Sequence, residues 1–159
     1  MRKLIKGGSK GEHLHGTNND DTINGNGGND TIQGNSGDDR LSGGAGHDKL
    51  SSGTGDDIFV FRSFNAADSD RVRDFQHTHD QFELDQAVFK AIDTGRLTTI
   101  FPAQFHIGAS ADSSSERIIY NAATGNVYYD DDGDGAHGQH LIATLDPHTK
   151  LTYDDFSIM

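Results

Sequence analysis

The stretch GNGGNDTIQGNSGDDRLSGGAGHDKL, residues 25–50, places one aliphatic residue at a time in a field of Gly, Asn, Ser and Asp. The spacing is regular. Written in nines from Gly16, the chain reads GTNNDDTIN, GNGGNDTIQ, GNSGDDRLS, GGAGHDKLS and SGTGDDIFV without an insertion. The sixth place is Asp21, Asp30, Asp39, Asp48 and Asp57, and the eighth is Ile23, Ile32, Leu41, Leu50 and Phe59. A damaged copy, GGSKGEHLH at residues 7–15, keeps Leu14 in the aliphatic place and Glu12 in the acidic one. One nonapeptide cannot bury its single apolar side chain alone, but stacked copies bury a shared column.

If successive nonapeptides lie on opposite sides of a flattened roll, loops eighteen residues apart stack one strand spacing, ~4.8 Å, from each other. Asp21 then faces Asp39, Asp30 faces Asp48 and Asp39 faces Asp57, pairs that repel unless a cation lies between them. Carboxylate and carbonyl oxygens, without sulfur or imidazole in the repeated acidic place, suit calcium better than magnesium. Glycine in the loops permits left-handed backbone, and Asn19, Asn26 and Asn35 are the next most tolerant choice. Without metal, the same Gly/Asn/Asp composition describes a flexible tract.

The rest of the chain bounds this reading. A length of 159 residues is one domain or one elongated module with a cap. Only 32% of residues are hydrophobic and the formal charge is -12, so a cation has to assist compaction. Thirteen Lys and Arg against 25 Asp and Glu disfavour nucleic acid and acidic membrane surfaces as partners. Cys is absent, which excludes disulfides and thiol chemistry. The start, MRKLIKGGSKGEH, has no apolar run long enough for a signal-peptide core, and no stretch could insert as a membrane span. Export through a cleaved N-terminal signal is therefore not expected.

GGAGHDKLS and its neighbours resemble the repeats-in-toxin (RTX) nonapeptide GGxGxDxUx, a calcium-binding β-roll family. The resemblance implies that each ion takes the carbonyls of places two and four and the Asp of one loop, with the carbonyls of places one and three and the Asp of the loop eighteen residues on. About three sites follow, possession of more being open. The first set is Thr17, Asn19 and Asp21 with Gly34, Ser36 and Asp39. The second is Asn26, Gly28 and Asp30 with Gly43, Ala45 and Asp48; the third is Asn35, Gly37 and Asp39 with Ser52, Thr54 and Asp57. Asp39 thus belongs to two. A fourth set, Gly8, Lys10 and Glu12 with Gly25, Gly27 and Asp30, departs from the pattern in its ammonium group and its longer carboxylate. No set is expected beyond these, because the residue eighteen past Asp48 is Ala66.

After Val60 the period is lost and the pattern becomes that of strands: IFVF at 58–61, DRVRDF at 70–75 and TIFPAQFHI at 99–107. ERIIYNAATGNVYYD, residues 116–130, reads as a hairpin turning at Gly125, and HLIATL at 140–145 as a third strand. LDQAVFKAI, residues 84–92, reads as a short helix capped by Asp85 and ended by Gly95. FVFRSF and DSDRVRDFQHTHDQFELDQAVF are similar to the strand and cap that follow such repeats in serralysin-type C-terminal domains. LTYDDFSIM is similar to the uncleaved C-terminal signal of type I secretion substrates.

Other metal patterns are weaker. Asp130, Asp132, Asp134 and Gly135 have the D-x-D-x-D-G opening of an EF-hand loop, but place twelve is Leu141 and strands flank it, so a turn is preferred over a calcium site. His13-x-His15 and His77-x-His79 have a zinc-compatible spacing without an evident third ligand. HExxH, GxSxG and a Cys nucleophile are absent, so no catalytic residues are assigned.

The expected fold is all-β: a right-handed, calcium-bound parallel β-roll over residues 1–60, capped by an antiparallel, sandwich-like region over 61–159. Residues 1–6 read as a linker, 7–15 as the degenerate repeat and 16–60 as regular repeats. The expected function is calcium-induced folding outside the cell, supporting type I secretion and the stability of a larger secreted protein, with calcium and the type I machinery as partners. A polysaccharide-binding or adhesin module, or the non-catalytic tail of a secreted hydrolase or epimerase, is the alternative.

Overall fold

In the computed structural model, which describes residues 1–95 and 97–159, successive nonapeptide strands alternate between two sheets. The strands are β1 (Leu4–Lys6), β2 (His13–His15), β3 (Thr22–Gly27), β4 (Thr31–Ser36), β5 (Arg40–Ala45), β6 (Lys49–Thr54) and β7 (Ile58–Phe61). There follow β8 (Asp70–Arg73), β9 (Gln81–Leu84), β10 (Phe105–Ile107), β11 (Ile118–Asn121), β12 (Asn126–Tyr129), β13 (His140–Thr144) and β14 (Phe156–Ile158). One sheet has the order β1-β3-β5-β7-β9-β14 and is parallel throughout. The other has the order β10-β11-β12-β13-β8-β6-β4-β2, with antiparallel pairing confined to β11, β12 and β13. The fold is an all-β roll of parallel coils.

The register is what places the site. Ile23 pairs with Leu41 and Leu41 with Phe59 in one sheet, while Ile32 pairs with Leu50 in the other, each eighteen residues apart. All five are fully buried, so polar-aliphatic-polar triplets turn one side chain inward per half coil. The column then continues past the repeats: Phe59 is in register with Phe82 and Phe82 with Phe156, and Leu50 with Val72.

Several expectations are corrected. Leu4–Lys6, read as linker, is a strand in register with Thr22–Asn24. The parallel coils do not stop at residue 60 but extend through β8, β9 and β14. Within 84–92 two successive turns stand instead of a helix: the Val88 and Phe89 amides donate to the Asp85 carbonyl, both at 2.9 Å, Asp85 Oδ1 caps Ala87 N–H at 2.9 Å, and the Ile92 amide donates to the Phe89 carbonyl at 3.2 Å. The two turns already bury Phe89 and Ile92 completely, and a helix this short gains nothing from cooperativity. Within 99–107 only Phe105–Ile107 is a strand, because Pro102, which has no N–H to donate, starts a 3₁₀ turn to Gln104. The 118–121 and 126–129 strands do form the expected hairpin, with Gly125 at φ +80° in its turn, and β13 is its third strand. Among the described residues, no helix is long and apolar enough to cross a membrane.

Candidate metal centre

The acidic loops lie in two stacks, one on each edge of the roll. Loops 16–21, 34–39 and 52–57 form one stack, and loops 7–12, 25–30 and 43–48 the other. Within a stack, the amide of each acidic residue donates to Oδ1 of the next: Asp21 to Asp39 at 2.7 Å, Asp39 to Asp57 at 2.8 Å, and Asp30 to Asp48 at 2.6 Å. Lys3 and Glu12 donate likewise to Asp21 and Asp30, at 2.7 and 2.8 Å. One carboxylate oxygen of each acid therefore ties two coils together.

The other oxygen has nothing. Among the described residues, Oδ2 of Asp30, Asp39, Asp48 and Asp57 is buried without a hydrogen-bond partner. None of these four residues is more than 1% exposed, and among the described residues none forms an ion pair with Lys, Arg or His. Burial, and behind it the like charges of Asp57, Asp21 and Asp20, pushes Asp39 up to about 6 despite the amide bond from Asp21. Burial likewise raises Asp30, Asp48 and Asp57. Four orphaned buried oxygens on stacked acids are costly unless a cation occupies the loops, and the donors available are all hard oxygens. The residues fit a calcium ion.

Backbone conformation explains the loop composition. Asn26, Asn35, Gly44 and Gly53, the second residues of four repeats, have φ of 70°, 83°, 102° and 102°. Gly25, Gly34 and Gly43, the first residues, lie against Oδ2 of the acid in their own repeat, so a Cβ there would occupy the space beside the unpartnered oxygen. The first regular loop differs. Asn19 has no positive φ, contrary to the expectation, and Asp21 Oδ2 accepts from the Thr17 amide and hydroxyl at 2.7 and 2.8 Å. Burial acts to raise Asp21, but these bonds and the Lys3 amide outweigh it and the carboxyl falls below its usual value.

The structure brings the expected sets together as follows. Thr17, Asn19 and Asp21 lie on the loop adjoining Gly34, Ser36 and Asp39, where Ser36 N–H donates to the Thr17 carbonyl at 3.4 Å. Asn26, Gly28 and Asp30 adjoin Gly43, Ala45 and Asp48, with Asn26 opposite Gly44 and Gly27 opposite Ala45. Asn35, Gly37 and Asp39 adjoin Ser52, Thr54 and Asp57, and Gly37 N–H donates to the Thr54 carbonyl at 2.9 Å. In the fourth set Gly27 N–H reaches the Gly8 carbonyl at 3.2 Å, but Glu12 turns its carboxylate back onto the Gly8 amide at 2.5 Å. Lys10 is exposed.

Asp130, Asp132 and Asp134 do not converge. Asp130 uses Oδ1 to accept the Asp132 and Gly133 amides of its own turn, and Asp134 is exposed; the side chains that approach each other there are Asp131, Asp132 and His137. The paired histidines also separate, His77 bonding Asp155 at 2.8 Å and His79 bonding Asp56 at 2.7 Å, while His13 and His15 are exposed on β2. Two acids were missed. Asp48 N–H donates to Asp70 Oδ1 at 3.1 Å and Asp57 N–H to Asp80 Oδ1 at 3.2 Å, across gaps of 22 and 23 residues. The triplets Asp70-Arg71-Val72 and Asp80-Gln81-Phe82 carry the signal, because they keep the acid-x-apolar spacing of the repeats.

A parallel roll with stacked, buried, oxygen-rich loops defines a calcium-binding repeat module. The model of the RTX calcium-binding nonapeptide repeat, four copies, matches residues 6–39 and 24–59; that region belongs to this family. Among solved structures, the chain is similar to the AlgE6R3 subunit from the Azotobacter vinelandii mannuronan C5-epimerase, at 28% identity and TM-score 0.56 over 94% of this chain and 79% of that one. It is also similar to the AlgE6R2 subunit of the same organism's enzyme, at 27% identity and TM-score 0.58 over 96% and 90%. No curated protein matches the sequence.

Proposed function

We propose that the chain is a non-catalytic module that folds on binding calcium outside the cell and supports type I secretion and the stability of a larger secreted protein. The observation that carries this reading is the row of unpartnered, buried Oδ2 atoms on Asp30, Asp39, Asp48 and Asp57. Thr17, Asn19, Asp21, Gly34, Ser36 and Asp39 hold one ion; Asn26, Gly28, Asp30, Gly43, Ala45 and Asp48 a second; Asn35, Gly37, Asp39, Ser52, Thr54 and Asp57 a third. Calcium, when bound, supplies the positive charge that these acids lack. In a low-calcium cytosol the acids repel and the repeats stay open; extracellular modules with Kd of about 10⁻⁴ to 10⁻³ M fill outside. The C-terminal residues are compatible with export before folding, since Phe156 and Ile158 are buried in β14 in the folded state.

Far-UV circular dichroism during a calcium titration, with magnesium as control, tests the reading. A calcium-specific gain of β-structure is expected. Complete β-structure in excess chelator, unchanged by calcium, would overturn it.

A specific observation favours polysaccharide binding as a second reading. In this acidic chain, Lys49 and Arg71 are in register on neighbouring strands with Arg73 two residues on, all exposed on one sheet beside Thr31 and Gln33. Such a strip suits an anionic polysaccharide, and both similar structures come from an enzyme named for mannuronan. Binding of the calcium-loaded protein to mannuronan is the measurement, and no binding would remove this reading.

A further inference from the structure

Among the described residues, β1 and β2 each pair on one side only, β1 as the edge of one sheet and β2 as the edge of the other. Both edges lie at the same end of the roll. The Lys3 carbonyl and Gly7 amide bond toward β3, and the Glu12 carbonyl and Gly16 amide toward β4, at 2.7–2.8 Å. By the alternation of a ladder, Leu4, Lys6, His13 and His15 therefore turn their N–H and C=O groups to the free edges. Side chains alternate too. Ile5 and Leu14 point inward and close the apolar column, only half-buried, while His13 and His15 are exposed together on one outer face and Leu4 is 64% exposed.

We propose that this end of the roll is a zinc site completed by a second copy of the chain, His13 and His15 of both copies sharing one ion. A twofold axis running through the two sheets sets β1 against its own copy and β2 against its own copy, both antiparallel. With Leu14 opposite the second copy's Leu14, His13 falls opposite the second copy's His15, and the two exchange both backbone hydrogen bonds because both face the edge. All four imidazoles then lie on one outer face, about 5.5 Å apart across the strands and about 7 Å apart along them. Imidazoles span such gaps to an ion ~2.0–2.1 Å from each nitrogen. Within one copy the pair is incomplete: its outward neighbours on β4 are Thr31 and Gln33, and Glu12 turns its carboxylate back onto the Gly8 amide at 2.5 Å. The same axis sets Ile5 against the second copy's Ile5 and Lys6 against its Leu4, so the ammonium groups are offset and each lysine stem covers an exposed leucine. Two three-residue edges bury far less than the ~800 Å² per partner of a stable interface, so the copies need the metal to stay together. Imidazole nitrogen suits zinc whereas calcium takes oxygen, which keeps this site separate from the acidic loops.

Sedimentation velocity of the full chain in calcium, with and without added zinc, tests the site. Zinc is expected to double the mass, with one ion bound per two chains by isothermal titration, and a zinc-selective chelator to restore the monomer while calcium stays in place. Substituting His13→Gln and His15→Gln together is expected to abolish the dimer and to leave the circular dichroism in calcium unchanged, since both side chains are exposed. A chain that stays monomeric in zinc, one zinc bound per chain, or a dimer retained by the double variant would overturn the proposal. Should the variant not fold, amide exchange of the wild type decides: zinc-dependent protection confined to β1 and β2 supports the end-to-end contact, and protection elsewhere or nowhere rejects it.

Discussion

Replacing Asp39 by asparagine removes one negative charge while keeping the oxygen that accepts the Asp21 amide at 2.7 Å. On the proposed ligand sets Asp39 serves two ions and Asp21 one. With Kd of about 10⁻⁴ to 10⁻³ M and calcium at about 10 mM, one filled site contributes RT ln(1 + [Ca]/Kd), about 1.4–2.7 kcal/mol. Asp39→Asn should therefore lower the unfolding free energy in calcium by about 3–5 kcal/mol, and Asp21→Asn by about half as much. The calcium-free protein should respond in the opposite sense. The Asp39 carboxyl is pushed up to about 6, so its charged form is disfavoured in the folded state, and at neutral pH a neutral side chain relieves repulsion. Urea unfolding followed by circular dichroism, in calcium and in chelator, measures both. Equal losses for the two variants in calcium would refute the bridging role; an equal loss for Asp39→Asn with and without calcium would show that its cost does not come from a lost ion.

Two further outcomes follow from backbone and core. Gly53→Ala puts a side chain at φ +102° facing the Asn35 carbonyl, which should cost at least about 2 kcal/mol by urea unfolding in calcium. Gly138→Ala, with nothing within 4 Å, is the control and should stay within about 0.5 kcal/mol. Phe82→Ala empties a fully buried position stacked on Phe75 and Phe156, at centroid distances of 4.9 and 5.1 Å, and should cost about 3–5 kcal/mol in the same assay. A loss under about 1.5 kcal/mol would show that the aromatic column is not a packed core.

The repeat half was legible because its period is its geometry. An acid and an aliphatic residue at fixed places in each nine specify both the pairing register and the stacked loops, and Ile23, Leu41 and Phe59 line up accordingly. The next coils were not, since insertions shift Asp70 and Asp80 to 22 and 23 residues from their partners and break the phase without breaking the stacking. The pairing of β14 with β9 was hidden for another reason: Phe156 meets Phe82 across 74 residues, and no local pattern reports so distant a partner. At 84–92 the Asp85 cap and Gly95 read as the ends of a helix, but burying Phe89 and Ile92 needs only two successive turns. Thr17 stands where later repeats carry Asn or Gly, and its hydroxyl satisfies Asp21 from within its own loop.

The two halves of the roll meet their costs differently. In the repeats each half coil buries one apolar side chain, and the stacked acids Asp30, Asp39, Asp48 and Asp57 each keep an unpartnered oxygen. Beyond them the column becomes aromatic, with Phe59, Phe82 and Phe156 in register, and the acid that follows Asp57 in its stack is satisfied on both oxygens, Asp80 accepting the Asp57 and Gln76 amides at 3.2 and 2.8 Å. Dependence on a cation falls as apolar burial rises, because buried area and neutralised charge oppose the same conformational entropy. Calcium removal should accordingly open the chain unevenly. Amide exchange in chelator is expected to become fast in β3–β6 while β9, β11, β12 and β14 keep protection, and calcium should restore protection to the repeats. Uniform loss of protection along the chain in chelator would show that the aromatic end cannot stand without the metal, and the division of labour between acid loops and aromatic core would be wrong.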